Sequence, residues 1–327
     1  MLGVEDGDWA ATLFEVTAAG TFEHGSSVLQ LLQDPDDVDR WQNVRTALLA
    51  ARLQRVQPGR DDKAVTAWNG LTITALVEAS IALDRDDLLD AAAGCAARLL
   101  ELHLRDGRLR RASLGGQVSD GDGVLEDYGT LATGLLSLHQ VTGQWRWREA
   151  ASALLDTALD HFADPESPGA WFDIADDAEQ LVLRPSDPLD GATPSGASSV
   201  TEALLTAGYL LEDSRYREAA HASLSAASMA LARAPRSAGH WLAVAEAAVR
   251  GPIQVAVACD PENSPLLRQA RQSAPGGAIV VGGVKDSSEL LRDRGPVADA
   301  EAAYVCRGTV CDLPVTGTQQ LDAALGR

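Results

Sequence analysis

Apolar residues recur at spacings of three and four along most of the chain, and the runs come in pairs. Between Asp36 and Gln54, Val38, Trp41, Val44, Leu48 and Leu49 fall on one face and predict a helix. A second helix is predicted over Thr66–Leu83. After the tight link Asp84-Arg85-Asp86, a third runs to about Leu102. The long segment Leu104–Gly123 holds two short strand-like pieces, RLRRAS and QVSD, among glycines. The pattern recurs as helix Val124–Val141, link Thr142-Gly143-Gln144 and helix Trp145–Phe162. A long segment from Ala163 to Thr193 follows, and its pieces AWFDIA and QLVLRP predict a hairpin. It recurs again as helix Pro194–Leu211, link Glu212-Asp213-Ser214 and helix Arg215–Ala232, with a shorter helix over His240–Val249. A unit of helix, tight turn, helix and long loop, repeating about every sixty residues, marks a helical-hairpin array. Residues 1–35 predict irregular structure with one short strand at Thr12–Thr17.

In each hairpin the first helix is apolar around more of its circumference, so it should be buried, with the second half-exposed outside it. Hairpins arranged round a ring would gather the long loops at one end, beside the inner-helix N-termini. Those N-termini carry Trp68-Asn69, Glu126-Asp127-Tyr128 and Thr193-Pro194-Ser195-Gly196, and the charged run Arg60-Asp61-Asp62-Lys63 precedes the first. Polar and aromatic residues converging on one mouth predict a pocket. The tail differs in kind: IQVAVA at Ile253–Ala258, a helix around Asn263–Gln272, AIVVGG at Ala278–Gly283 and AAYVCR at Ala302–Arg307 predict a small α/β appendage of parallel strands. The expected division is therefore 1–250, helical, and 251–327, α/β. The glycines of VVGG lack the spacing of a nucleotide fingerprint and predict a structural role.

Composition narrows the function. Among 327 residues the formal charge is −20, which argues against nucleic acid or an anionic membrane surface as partner. No apolar run reaches membrane-span length, no basic segment followed by an apolar one opens the chain, and a cytoplasmic location is the expectation. The four cysteines, Cys95, Cys259, Cys306 and Cys311, include no CxxC pair, and no His cluster stands at zinc spacing. Cys306 and Cys311 could be hairpin neighbours; buried free thiols are the expectation. Neither a metal nor a cofactor is predicted.

RDDKAVTAWNGL, LEDYGTLATGLL, the WFD of AWFDIADDAEQLVLRPSDPLDGATPSGASSV, and AYVCRGTVCDLPVT resemble the C-terminal half of the YyaL-like, thioredoxin-domain-containing (spermatogenesis-associated protein 20-like) family. The resemblance runs from VTAAGTFEHG onward. It implies a mainly α fold built on an (α/α)6 toroid similar to N-acylglucosamine 2-epimerases and six-hairpin glycosidases, preceded in the family by a thioredoxin-like domain. This sequence departs from the family in lacking a thioredoxin-like domain and a redox CxxC, so a redox role is not expected. About eight barrel helices are predicted where a closed toroid needs twelve, so a partial toroid is expected, and a fragment or split product. Ala197 stands where the family's pattern after PSG has Asn, removing one polar contact from the pocket.

A glycosidase of this architecture needs two carboxyl groups across a cleft, one protonated and one ionised. The candidates are Asp61 or Asp62 on one loop, Glu126 or Asp127 on the second inner helix, and Asp173, with Asp62 and Asp127 the best-placed pair. Trp68, Tyr128 and Trp171 would offer flat faces to sugar rings. Arg60, Lys63, Asn69, Ser195 and His24 of FEHG complete the expected sugar-binding set. Epimerisation would need a base such as a histidine pair. His103, His139, His161, His221 and His240 sit at helix ends, on outer helices or at the start of a late helix, which disfavours it. The same carboxylates also have structural readings: Asp61, Asp62 and Lys63 as a loop salt-bridged to Arg60, and Glu126 and Asp127 as first-turn residues complementing the helix dipole. The alternative to a sugar pocket is a scaffold that binds a partner, such as a separate thioredoxin-like subunit, through the open side of an incomplete ring.

Overall fold

The structure, a computed structural model, describes residues 1–179, 181–308 and 310–326. Contacts divide them into two compact units, Met1–Asp61 and Asp62–Arg327. The first holds α1 (Gly3–Leu13) and α2 (Val38–Leu53). Arg40 of α2 donates to Asp6 at 2.8 Å and lies over the Trp9 ring, joining the two helices. The strand expected at Thr12–Thr17 is not formed, because α1 runs through Leu13 and Thr12 bonds back to the Asp8 carbonyl. His24 sits in a single exposed turn, Glu23–Gly25, with φ +57°.

The second unit opens with β1 (Lys63–Val65) and continues as α3 (Thr66–Leu83) and α4 (Asp86–His103). Four short strands follow: β2 (Leu104–Arg105), β3 (Arg108–Leu109), β4 (Ala112–Leu114) and β5 (Gln117–Val118). The next two hairpins are α5 (Leu125–Thr142) with α6 (Trp145–His161), and α7 (Gly196–Leu210) with α8 (Ser214–Arg233); α9 (Gly239–Val249) closes the helical part. Helices α3, α5 and α7 pack side by side, α9 extends this row beside α7, and α4, α6 and α8 each cover their own partner from outside. This two-layered order is that of an (α/α) toroid, formed in part by the described residues. Helix α5 is buried along nearly its whole length, because it has α3 on one side, α7 on the other and α6 behind.

The inner helices approach by backbone contact. A Cβ on Gly129 would lie 2.5 Å from the Val200 amide nitrogen, and one on Gly70 would lie 2.7 Å from that of Leu131, so neither position has room for a side chain. Between α6 and α7 the expected hairpin is absent among the described residues; Gln180, part of it, lies outside them. Ala163 and Trp171 form an isolated bridge instead, and the Arg184 guanidinium donates to the carbonyls of Ile174 and His161.

The tail forms a four-stranded sheet in the order β7–β6–β8–β9, from β6 (Ile253–Ala258), β7 (Ile279–Gly283), β8 (Ala302–Arg307) and β9 (Val310–Cys311), with α10 (Pro265–Ser273) and α11 (Thr318–Leu325) packed on each other. Only the β6–β7 pair is parallel; β8 runs antiparallel to β6 because no crossover helix follows β7, correcting the all-parallel expectation. Cys306 and Cys311 are register partners of β8 and β9 and are disulfide-bonded, which corrects the free-thiol expectation for that pair; Cys95 and Cys259 are free. Strand β7 and Arg148–Glu289, at 2.6 Å, fasten the tail to α5 and α6. No helix among the described residues is long and apolar enough to cross a membrane.

Candidate functional site

Asp127 is fully buried at the third position of α5. Its Oδ2 accepts from the Val124 amide at 2.9 Å and caps the helix. Its Oδ1 accepts from the Ala67 amide at the start of α3 and from Arg111 Nη1, each at 2.8 Å. Burial pushes its carboxyl up to about 6, against the opposing pull of Arg111 and the two amides. With both oxygens bonded and no accessible surface, Asp127 positions α3 against α5 and holds Arg111; it cannot touch a substrate. Arg111, which the sequence reading passed over inside RLRRAS, is the missed residue. Its other nitrogen, Nη2, pairs with the Glu126 carboxylate.

Glu126 is the neighbour that stays open to solvent. It lines a cavity of about 230 Å³ with Val124, Leu125, Asp173, Asp187 and Ser195. Asp173 is fixed by its own backbone: its carbonyl accepts from Leu125 at 2.9 Å and its amide donates to Pro185 at 2.8 Å. Its Oδ2 accepts from the Asp187 amide at 3.0 Å. Burial first, and then the charges of Asp187 and Glu126, push the Asp173 carboxyl above the ordinary carboxylate range, the Asp187 amide opposing them. Ser195 caps α7: its hydroxyl accepts from the Ser198 amide and donates to the Pro188 carbonyl, both at 3.1 Å. Asp190 accepts from the Ser195 amide and from the His240 and Trp241 amides, tying the loop before α7 to the first turn of α9.

The structure therefore brings Glu126, Asp173 and Ser195 of the expected set to one cavity. Tyr128 and Trp171 are buried and are not platforms. The Tyr128 hydroxyl accepts from the Leu109 amide at 3.0 Å while its ring packs on Phe162, and Trp171 Nε1 donates to Ser223 at 2.8 Å. Asn69 donates to the Val65 carbonyl inside α3's first turn. Trp68 is 57% exposed on the same turn. Lys63 pairs with Leu114 across β1 and β4, and Asp62 opens the second unit; both are exposed and have partners of their own. Arg60, Asp61 and His24 belong to the first unit, where Arg60 and Asp61 likewise have partners. No histidine is among the residues lining the cavity. His103 bridges Thr66 and Ser113 in the core. One cluster among the described residues has metal-ligand types, His161, Asp176 and Asp177, but Arg108 already neutralises Asp177 through two bonds of 2.6 and 2.8 Å.

The chain is 28% identical over 294 residues to spermatogenesis-associated protein 20 of Mus musculus, a match covering 84% of this chain and 37% of that protein. The chain resembles spermatogenesis-associated protein 20. A Caenorhabditis elegans protein described only as uncharacterised is 29% identical over 316 residues, covering 91% of this chain and 42% of that one. The chain thus spans less than half the length of these relatives. No family model matches it. Among solved structures, cellobiose 2-epimerase from Bacillus thermoamylovorans shares 14% identity at a TM-score of 0.44, covering 52% of this chain and 45% of that chain. An α-mannanase of glycoside hydrolase family 76 from Bacteroides thetaiotaomicron shares 15% at 0.42, covering 58% and 56%.

Proposed function

We propose that the cavity between the first turns of α5 and α7 binds a carbohydrate and processes it by acid/base carboxylate chemistry. Asp173 is the proton donor and Glu126 the ionised partner. The observation that carries this reading is the contrast between two carboxyls lining one small cavity. Among the described residues no ion pair is recorded for Asp173 and its carboxyl is pushed upward, whereas Glu126 is paired with Arg111. Environments that separate two carboxyls in this way supply the protonated acid and the charged base or nucleophile that glycoside chemistry requires. The cavity volume suits one sugar unit, and hydroxyls would find acceptors in Glu126 and Asp187. Asp127 serves the site by holding Arg111, and through it Glu126. Trp68 keeps its exposed face for a further sugar ring, and Asp62 and Lys63 are secondary candidates for the same ligand. Turnover of mono- and oligosaccharides, measured as reducing ends released and as isomer formed, tests the reading. Asp173→Asn and Glu126→Gln should each lower kcat/KM by at least about a hundredfold. Unchanged turnover in both variants, with the fold intact, contradicts it.

A further inference from the structure

A cavity of about 690 Å³ lies between the C-terminal parts of α3 and α5 and the turn from α10 to β7. Helix α5 has 18 residues, so about 27 Å separates its two ends, and this cavity is remote from Glu126. Among its lining residues the one cation is Arg271. Arg271 Nη2 donates to the Val141 carbonyl at 2.9 Å and, at 3.5 Å, to that of Gln140, in the last turn of α5. Its Nε is buried and makes no hydrogen bond. Among the described residues no carboxylate lies within ion-pair distance of this guanidinium. The contrast with its peers is sharp: Arg108, Arg111 and Arg148 each have a carboxylate at 2.8 Å or closer. In a chain with 47 acidic residues against 27 basic ones, carboxylates are in surplus, yet Arg271 has none.

A partly buried guanidinium without a counter-charge is held at a cost, and its buried Nε–H without an acceptor adds to that cost. An oxyanion supplies both. We propose that this cavity binds a small metabolite bearing a phosphate ester or a carboxylate, with the anionic group paired to Arg271. Ser137, Gln140 and Gln272 line the same space and offer hydrogen bonds to the rest of the ligand. Glu78 is the cavity's one carboxylate, and its repulsion limits affinity. An adjoining cavity of about 660 Å³ touches both Arg271 and Arg268, but four carboxylates, Asp84, Asp86, Asp260 and Glu262, also line it, and their excess of negative charge repels an anion. The ligand therefore sits on the Glu78 side.

Calorimetric titration of the full chain with glucose 6-phosphate and with gluconate, against chloride at equal ionic strength, tests this and separates the two anion sources. At least one should bind with a millimolar Kd. Arg271→Gln should weaken that binding at least tenfold, and Glu78→Gln should tighten it several-fold. No binding beyond that of chloride overturns the proposal, as does affinity unchanged in Arg271→Gln. Should Arg271→Gln fail to fold, Glu78→Gln decides, since unchanged affinity there also overturns it.

Discussion

At the scale of single residues, Asp127 and Arg111 show how a pair that reads as catalytic becomes structural. Asp127 holds a charge at a position with no accessible surface, so removing its cation leaves that charge unpaired. Arg111→Ala should cost about 3 kcal/mol in denaturant unfolding, and adding Asp127→Asn should recover most of it. The pH dependence has a definite sign. Asp127 lies near 6 in the fold against about 3.9 when unfolded, so the folded state binds this proton more tightly. Its contribution is fully present below about pH 4 and is lost as pH rises through 6. The stability of wild type relative to Asp127→Asn should fall by about 2 kcal/mol between pH 4 and pH 7, measured by unfolding at a series of pH values. Asp173 is displaced in the same direction and contributes with the same sign. The sequence made Glu126, Asp127 and Asp173 visible as carboxylates near helix starts. It could not say which would be buried, because that depends on tertiary packing: Arg111 reaches Glu126 and Asp127 from the bend between β3 and β4, while Asp173 is held by the loop before α7.

At the scale of elements, the inner row is set by glycine. Gly129→Ala and Gly70→Ala should each destabilise the fold by about 2 kcal/mol or more, although alanine is the better helix former by about 1 kcal/mol. Gly94→Ala on α4 is the control: nothing lies within 4 Å of the added Cβ, so a gain of up to about 1 kcal/mol is expected. Thermal melts of the three variants check both directions. Helices were legible because each carries a long apolar period; α3 starts at Thr66 and ends at Leu83, as that period predicts. Helix α1 was not, since GVEDGDWAATL contains two glycines and three acids and has weak helical propensity. Where a hairpin was expected after Ala170, the described residues instead place the Arg184 side chain on the Ile174 and His161 carbonyls, contacts that alternation along the chain does not encode.

At the scale of the molecule, the net charge of −20 implies self-repulsion that salt screens. Raising ionic strength from about 0.02 to 0.2 M should raise the melting midpoint, and a fall would show that specific ion pairs outweigh the net field. Convergence of inner-helix N-termini was legible from the repeat. Which of them share a cavity was not: α5 and α7 do, through the Asp173 segment, while the start of α3 is bonded to Asp127 beneath it. The measurement that tests the central reading most directly is ligand-dependent thermal unfolding across a panel of mono- and oligosaccharides. A ligand that binds only the folded state raises the midpoint by mass action. The account predicts that at least one sugar raises it, and that Asp173→Ala and Glu126→Ala abolish the shift, while Glu202→Gln, on α7 outside this cavity and paired with His240, leaves it intact. A panel without any shift, or a shift that survives both cavity variants, would contradict it.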